Sequence, residues 1–278
     1  MRWVICAAFM FALAPSAFAD DLDVLRGSQT VGPATFTRWT GFYAGGHYDY
    51  SSGNADFSKA TQPLLAYSLR NLQLESVAQP SQWQVLSGNN AAHTSGFGGF
   101  AGYNTQWQDL IIGVEADYTH APFSAVAINT PIGRVVPVGS SLYSVNITGS
   151  GSLDVTDFGS LRARVGYVFG TFLPYGFAGF ALGRGSYSVS SEISGQQSSA
   201  TPPALPCVVS TTCVDYDFAN ATAKSSTLLY GFAVGGGFDM AITQNIFVRA
   251  EYEFMQFAPF ANITATISSA RVGAGFKF

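Results

Sequence analysis

The chain has 278 residues, enough for one large all-β domain or two small ones. Hydrophobic residues make up 47% of it and charged residues only 11%, against roughly 25% charged residues in an average soluble domain. With 30 Gly and 23 Phe, this composition argues against an ordinary cytosolic enzyme and favours a β protein that exposes apolar side chains to a membrane. The net charge of -4, without a basic cluster, argues against nucleic acid as a partner.

The first 19 residues have the three parts of a secretory signal peptide. Arg2 supplies the positive charge, residues 3–14 the apolar segment, and residues 17–19 (Ala-Phe-Ala) the cleavage site. A membrane anchor is the alternative, but so short an apolar segment does not span a bilayer. Residues 20–38 are polar and show no hydrophobic period, so we expect the mature chain to begin with a flexible periplasmic leader.

From residue 42 onward, eight segments alternate apolar residues with polar or small ones, which is the period-two pattern of β-strands. Each is about ten residues long, the length that crosses a bilayer when the strand is tilted. The inward and outward faces of the fifth segment cannot be assigned, because both carry aromatic residues. The predicted strands are 42–50, 95–105, 110–119, 160–167, 173–184, 228–239, 248–254 and 270–278.

The connections between these strands alternate between long and short. The long ones (51–94, 120–156 and 185–226) are polar and irregular, and residues 59–77 favour a short helix within the first. Brief turns lie near 106–108 and 169–171, and a medium connection spans 255–262. An even number of strands with long connections at one end is typical of bacterial outer-membrane barrels, in which both termini are periplasmic. The sequence therefore predicts an all-β fold: an eight-stranded antiparallel transmembrane β-barrel with three long extracellular loops and short periplasmic turns, spanning residues 39–278.

One uncharged run, residues 166–183, has the length of a transmembrane helix. It contains several Gly and Pro174, which disfavour a helix, and its two halves match neighbouring strands around a turn. Two strands are therefore the preferred interpretation.

The alternation also predicts two aromatic belts on the outside of the barrel, as the two membrane interfaces require. The periplasmic belt comprises Phe42, Tyr103, Tyr167, Phe238, Phe276 and Phe278; the outer belt comprises Tyr48, Tyr50, Tyr118, Tyr230 and Tyr252.

Nearly all charged residues of the strands lie on the face opposite the apolar one. Shifting the strands by one residue would turn four arginines towards lipid, at about 2 to 4 kcal/mol each near the midplane, so the facing is well determined. The predicted interior set is Asp49, Glu115, Asp117, Arg162, Arg164, Arg249, Glu251, Glu253 and Arg271, with Lys277 at the end of the last strand.

The interior of an eight-stranded barrel has room for side chains and little more, and unpaired charges there are costly. We therefore expect cross-strand pairs between Glu115 and Arg162 and between Glu251 and Arg271. The charged set is either a selectivity filter or proton relay, or a structural polar core; the small bore favours the structural core.

Three cysteines are present, and Cys6 leaves with the signal peptide. Cys207 and Cys213 remain as an even pair in an exported protein, which favours a disulfide. Closing so short a loop stabilises the fold by roughly 2 kcal/mol in the chain-entropy model. A metal site is the weaker alternative, because no His lies near the pair in sequence.

Three segments resemble the opacity-like and outer-membrane immunogenic protein family of small Gram-negative surface barrels. They are residues 39–46 (Trp-Thr-Gly-Phe-Tyr-Ala-Gly-Gly), residues 161–167 (Leu-Arg-Ala-Arg-Val-Gly-Tyr) with the following 173–175, and residues 271–278, which end in Phe276-Lys277-Phe278. The resemblance covers the strands and leaves the long loops uncovered. It implies eight strands, an outer-membrane location, and insertion by an assembly machinery that reads the C-terminal strand through Phe276 and Phe278. Members of the family are abundant surface antigens, and some bind haemin.

Candidate chemistry outside the barrel interior is sparse. His93 and Ser95 share one strand face, as in barrel-type lipid A deacylases, but no acid at matching spacing orients the imidazole. Haemin binding would rest on His47, His93 and His120, and a small diffusion pore would need a water path past the predicted ion pairs. The preferred interpretation is a non-enzymatic surface barrel without cofactor, in contact with outer-membrane lipid and lipopolysaccharide, whose long loops bind an extracellular ligand that the sequence does not identify.

Overall fold

The computed structural model describes residues 38–87, 90–200, 203, 205–207 and 212–278. The predicted signal peptide and all of the predicted leader except Arg38 lie outside the described residues. The chain forms nine β-strands, two short α-helices and one turn of 3-10 helix within the described ranges. In order these are β1 Gly41–Asp56, α1 Gln62–Leu69, α2 Gln73–Ala78, the 3-10 turn Pro80–Gln82, β2 Asn90–Trp107, β3 Leu110–Val126, β4 Ile132–Val138, β5 Ser141–Tyr167, β6 Phe172–Ser198, β7 Cys213–Ala241, β8 Ile246–Phe257 and β9 Thr264–Lys277.

Eight of these strands close into a barrel in which all neighbours are antiparallel. The sheet order is β3-β2-β1-β9-β8-β7-β6-β5-β4, and β3 also pairs with β5, which closes the ring and leaves β4 outside it. At the junction of first and last strands, Tyr43 lies opposite Lys277 and Asp56 opposite Thr264. The predicted eight-stranded antiparallel barrel is confirmed.

The short connections share one end of the barrel, here called the turn end. The β2–β3 turn at Gln108, the β5–β6 turn around Gly170 and the β7–β8 turn at 242–245 all lie there, together with Trp39 and Phe278. Gly170 has φ +63°, in the left-handed region where glycine avoids the strain of a Cβ. The opposite end, called the long end, carries the remaining connections.

Much of the three long segments is strand rather than the irregular loop that their composition predicts. β3 continues to Val126, β5 begins at Ser141, and the β6–β7 hairpin extends to Ser198 and Cys213. Once two antiparallel strands leave the barrel side by side, their backbones can keep pairing, whatever the polarity of their side chains. The single helix predicted over 59–77 is instead the pair α1 and α2.

The outward faces of the strands carry the apolar residues that alternation predicts. Val114, Leu161 and Val272 are all more than half exposed, and every aromatic residue of the two predicted belts is exposed on the outside. Residues 166–183 form the end of β5, a turn and the start of β6, as preferred. In the part of the chain that the structure describes, no helix is both long and apolar enough to cross a membrane.

Above the barrel, the long end folds into a small structure of its own, here called the cap. It comprises residues 57–87, β4, and the projecting parts of β5, β6 and β7 (141–155, 185–198 and 213–227). Leu65, Leu69 and Leu74 of the two helices are fully buried against Val145, Ile147 and Ile193 of the strands. In the same core, burial raises the pKa of Tyr216 to about 12, so this side chain stays uncharged up to alkaline pH.

Candidate functional site: the charged barrel interior

Glu115 is the centre of the charge network inside the barrel. It lies on β3 directly opposite Arg162 of β5, and Arg162 donates to it through Nε at 3.1 Å. Arg164 Nη1 and Arg249 Nη1 donate to its Oε2 at 3.0 and 2.9 Å, and the Tyr43 hydroxyl donates at 2.6 Å. One carboxylate thus faces three guanidinium groups, and its side chain is fully buried.

Asp239 balances the excess positive charge beside Glu115. Arg249 donates to Asp239 through Nε at 2.8 Å and Nη2 at 3.1 Å, and Arg164 Nη2 donates at 2.8 Å. The alternation of β7 already put this residue on the inner face, but it was not among the predicted interior charges. Its two-pronged contact with Arg249 follows from their opposite positions on β7 and β8.

A second group of charges surrounds Arg271. Its Nε donates to Asp49 at 2.9 Å and its Nη1 to Asp117 at 3.1 Å, and it also pairs with Glu253. The predicted pair with Glu251 is present but longer, at 3.5 Å.

Arg162 joins the two groups, because it contacts Glu251 at 2.8 Å and Glu253 at 3.2 Å as well as Glu115. The structure therefore brings all nine predicted residues into one connected interior network. Lys277 lies apart from it at the turn end, where its Nζ is 4.1 Å from the centroid of the Trp39 ring and donates to Arg38 O.

Aromatic rings cover the arginines of the network. Arg162 lies 4.0 Å from the ring centroid of Phe177, Arg164 3.8 Å from that of Tyr175, and Arg249 4.0 Å from that of Phe100. The sequence did not reveal the first two because the facing of the fifth predicted strand was unassigned. The fifth predicted strand is β6, and its pairing with β5 determines its facing: Phe177 lies opposite Arg164 and therefore on the inner face.

Apolar layers lie on both sides of the charges. On the turn-end side are Trp39, Ile111, Leu173 and Phe247. On the cap side is a larger cluster that includes Phe57, Phe158, Phe257 and Ile267. An ionic layer between two apolar layers makes the interior a packed core, in keeping with the bore of an eight-stranded barrel.

The model of the family described as "Outer membrane protein beta-barrel domain" matches residues 5–278. The chain belongs to this outer-membrane barrel family. It is 28% identical over 169 residues to a 22 kDa outer membrane protein of Rhizobium leguminosarum bv. viciae. That match covers 59% of this chain and 54% of the relative, so the chain spans about half the length of the relative. Family membership assigns the barrel to an outer membrane.

Two solved barrels show a weaker likeness. Neisserial surface protein A has a TM-score of 0.36 and 15% identity, over 86% of this chain and 98% of its own. Ail of Yersinia pestis has a TM-score of 0.34 and 12% identity, over 86% of this chain and 99% of its own. The description of the fold given above relies on the strand pairing of the chain itself.

The three histidines of this outer-membrane barrel do not converge. His47 is buried in the lumen, 3.0 Å from the Thr119 hydroxyl and 3.7 Å from Asp117. His93 lies outside and stacks on Tyr50, and His120 lies outside and contacts Asp157 at 2.7 Å. Within the described residues, no group of three or more His, Cys, Asp or Glu side chains is placed to hold a metal ion.

Two further predicted features lie at opposite ends of the barrel. The disulfide between Cys207 and Cys213 is present at the tip of the β6–β7 hairpin, where Cys207 N donates to Gln196 Oε1 at 3.2 Å. At the turn end, Phe276 and Phe278 point outward, and Phe278 N donates to Phe42 O at 2.9 Å. The role of Phe276 and Phe278 as an assembly signal stays a prediction.

Proposed function

We propose that this protein is a closed, non-enzymatic outer-membrane barrel whose long end is exposed at the cell surface, as an antigen and as a binding module. The filled interior supports this proposal most directly, because Glu115, Arg162 and Arg249 cross-link the lumen between two apolar layers. A barrel whose lumen is occupied by its own side chains has its interactions on its outer surfaces.

The proposed orientation places both termini and the short turns in the periplasm. This matches the general asymmetry of outer-membrane barrels, in which the long connections are extracellular. The apolar exterior would contact outer-membrane lipid and lipopolysaccharide, and the C-terminal strand would contact the assembly machinery. The cap would contact an extracellular ligand.

Two other functions find less support in the geometry. A haemin receptor would have to do without His47, which is buried in the lumen.

A small diffusion pore would need a path past Arg162 and Glu115. The purified barrel in a planar bilayer is therefore expected to show no conductance above the lipid background, with an open porin as positive control. Discrete conductance steps from the folded barrel would contradict the closed interior.

Two glycines provide a matched test of orientation. Gly139 lies between β4 and β5 in the cap and Gly170 lies at the turn end. Both have positive φ, and apart from the adjacent residues no described atom lies within 4 Å of the position of an added Cβ. An epitope inserted after Gly139 is expected to bind antibody on intact cells. The same epitope after Gly170 is expected to bind only after the outer membrane is permeabilised, and the reverse pattern would contradict the proposal.

A further inference from the structure

β7 has an unpaired edge where it extends above the barrel. Its membrane half, Gly231–Ala241, pairs with β8, but residues 213–227 pair with β6 alone. β8 ends at Phe257, opposite Gly231, so β7 extends beyond the end of β8 by more than a dozen residues. Among the described strands, none lies beside this edge, and β7 is therefore the border of the cap sheet formed by β4 to β7.

The register shows which backbone groups of β7 point outward at this edge, away from β6. Ser199 N donates to Thr212 O at 2.8 Å, and the pairing continues from Ser198 opposite Cys213. Because hydrogen-bonded and non-hydrogen-bonded pairs alternate along an antiparallel ladder, the even-numbered residues from Val214 to Lys224 bond to β6. The odd-numbered ones, including Asp217, Ala219 and Ala221, direct their N–H and C=O groups to the free edge. Residues 213–227 contain no proline, a residue that commonly protects an exposed edge.

A groove of about 440 Å³ runs beside this edge. Its walls include Tyr67 and Arg70 from the end of α1 and Asp217, Phe218 and Ala219 from β7. Tyr67 and Phe218 are 60% and 37% exposed, and the Arg70 guanidinium lies over one face of the Tyr67 ring, 3.9 Å from its centroid. The groove thus offers an aromatic or branched apolar side chain a site directly beside open backbone groups.

The two faces of the cap sheet differ in charge at this border. On the face away from the helices, Asp217 lies opposite Ser194 and Asp215 opposite Gln196, and Glu192 lies opposite Ala219 on the same face. The described strand residues of that face in 132–138, 141–150, 190–198 and 213–223 include no Lys or Arg, since Arg134 lies opposite Val145 on the helix-covered face. A strand added beside β7 would meet carboxylates on one face and, on the other, the groove with the exposed side chains of Tyr67 and Phe218.

We propose that the free edge of β7 binds an extended segment of a partner protein by strand addition. The matching segment alternates apolar and basic residues, with an apolar side chain in the groove and the basic side chains facing Asp215, Asp217 and Glu192. The proposal deepens the binding function proposed above and rests on the cap being the exposed end.

Two other occupants fit the edge less well. In one membrane, two copies of the chain run β7 in the same direction, so their edges cannot pair antiparallel. The predicted leader precedes Arg38, which lies at the turn end, whereas this edge of β7 lies at the long end.

The test uses the purified, refolded barrel in lipid nanodiscs and a fluorescent nine-residue peptide that alternates Lys with Val around one central Phe. Fluorescence anisotropy is expected to show saturable binding. Ala221→Pro removes an outward N–H at a position where an edge strand tolerates proline, and is expected to weaken binding about tenfold, the size of one lost hydrogen bond. Ala221→Thr keeps the N–H and is expected to bind like the unchanged protein.

Two control peptides separate backbone pairing from charge attraction. A fully N-methylated peptide and a peptide with Glu in place of Lys are both expected to bind much more weakly. The double variant Asp215→Asn/Asp217→Asn is expected to weaken binding of the Lys peptide. The heat-modifiable gel band of the folded barrel is expected to stay unchanged.

Several results would overturn the proposal. These are equal binding to the Ala221→Pro and Ala221→Thr variants when both are folded, undiminished binding of the N-methylated peptide, or absence of saturable binding by the Lys peptide. Sedimentation that shows dimers without peptide, abolished by Ala221→Pro, would assign the edge to a second copy instead. None of these results bears on the antibody test at Gly139 and Gly170, so the surface function can stand if strand addition fails.

Discussion

Replacing Glu115 by glutamine is expected to lower the free energy of unfolding by about 3–5 kcal/mol, the usual cost of removing one partner from a buried ion pair. Glutamine keeps the shape of the side chain but removes the negative charge that faces Arg162, Arg164 and Arg249. The loss is large beside the roughly 5–15 kcal/mol total stability of a typical domain. Denaturant unfolding of the refolded protein in lipid vesicles measures it.

Glu192→Gln is the matched control, because it makes the same chemical change at an exposed position of the cap. We expect it to change stability by less than about 0.5 kcal/mol. Adding Arg249→Met to Glu115→Gln should recover part of the lost stability, since it removes one of the three guanidinium groups that face the neutral side chain, while Arg164 still pairs with Asp239. Equal effects at Glu115 and Glu192, or purely additive effects of the two interior changes, would show that the network does not act as a unit.

The strands of the barrel wall could be predicted from the sequence, because the alternation of apolar and polar residues and the cost of placing charges in lipid together determine which face points outward. Alternation in β3 places Leu110, Ile112 and Val114 outside and Glu115 inside, and the cost of arginine in lipid excludes the opposite register. The pair Glu115–Arg162 was predictable because the two residues lie opposite each other on adjacent strands.

Contacts across the lumen were not predictable in the same way. Arg249 reaches Glu115 from a strand that is not its neighbour, and Arg164 reaches Asp239 likewise. Such contacts depend on the stagger of the strands around the barrel, which alternation within a strand does not specify.

The strands of the cap could not be predicted from the sequence for a different reason. Its strands are polar or small on the solvent face, as in residues 185–198 and 213–227, so they lack the hydrophobic contrast that marks a membrane strand. β4 is short and contains Pro137, which argues against a central strand and agrees with its place outside the ring. The structure was therefore needed to find both the fold of the cap and the free edge of β7.

Phe278→Ala is expected to reduce the amount of folded protein in the outer membrane several-fold while barely changing the stability of protein refolded in vitro. Phe278 is 76% exposed, and its backbone bond to Phe42 survives the substitution. The loss of one lipid-facing ring near the interface costs less than about 1 kcal/mol, too little to unfold the barrel. A large loss in cells would therefore reflect recognition of the terminal residue during assembly.

Phe180→Ala is the matched control, because Phe180 is an outward-facing ring of β6 with 73% exposure, far from the chain terminus. Heat-modifiable migration in gels of the outer-membrane fraction measures the folded amount of each variant, and refolding into vesicles measures the stability. If the two substitutions lower the folded amount in cells equally, the terminal ring acts only as one more lipid contact. If Phe278→Ala alone lowers it and both variants refold with equal stability, the closing strand carries the assembly signal at its last residue, because only a position-specific reader distinguishes two rings that are equally exposed to lipid.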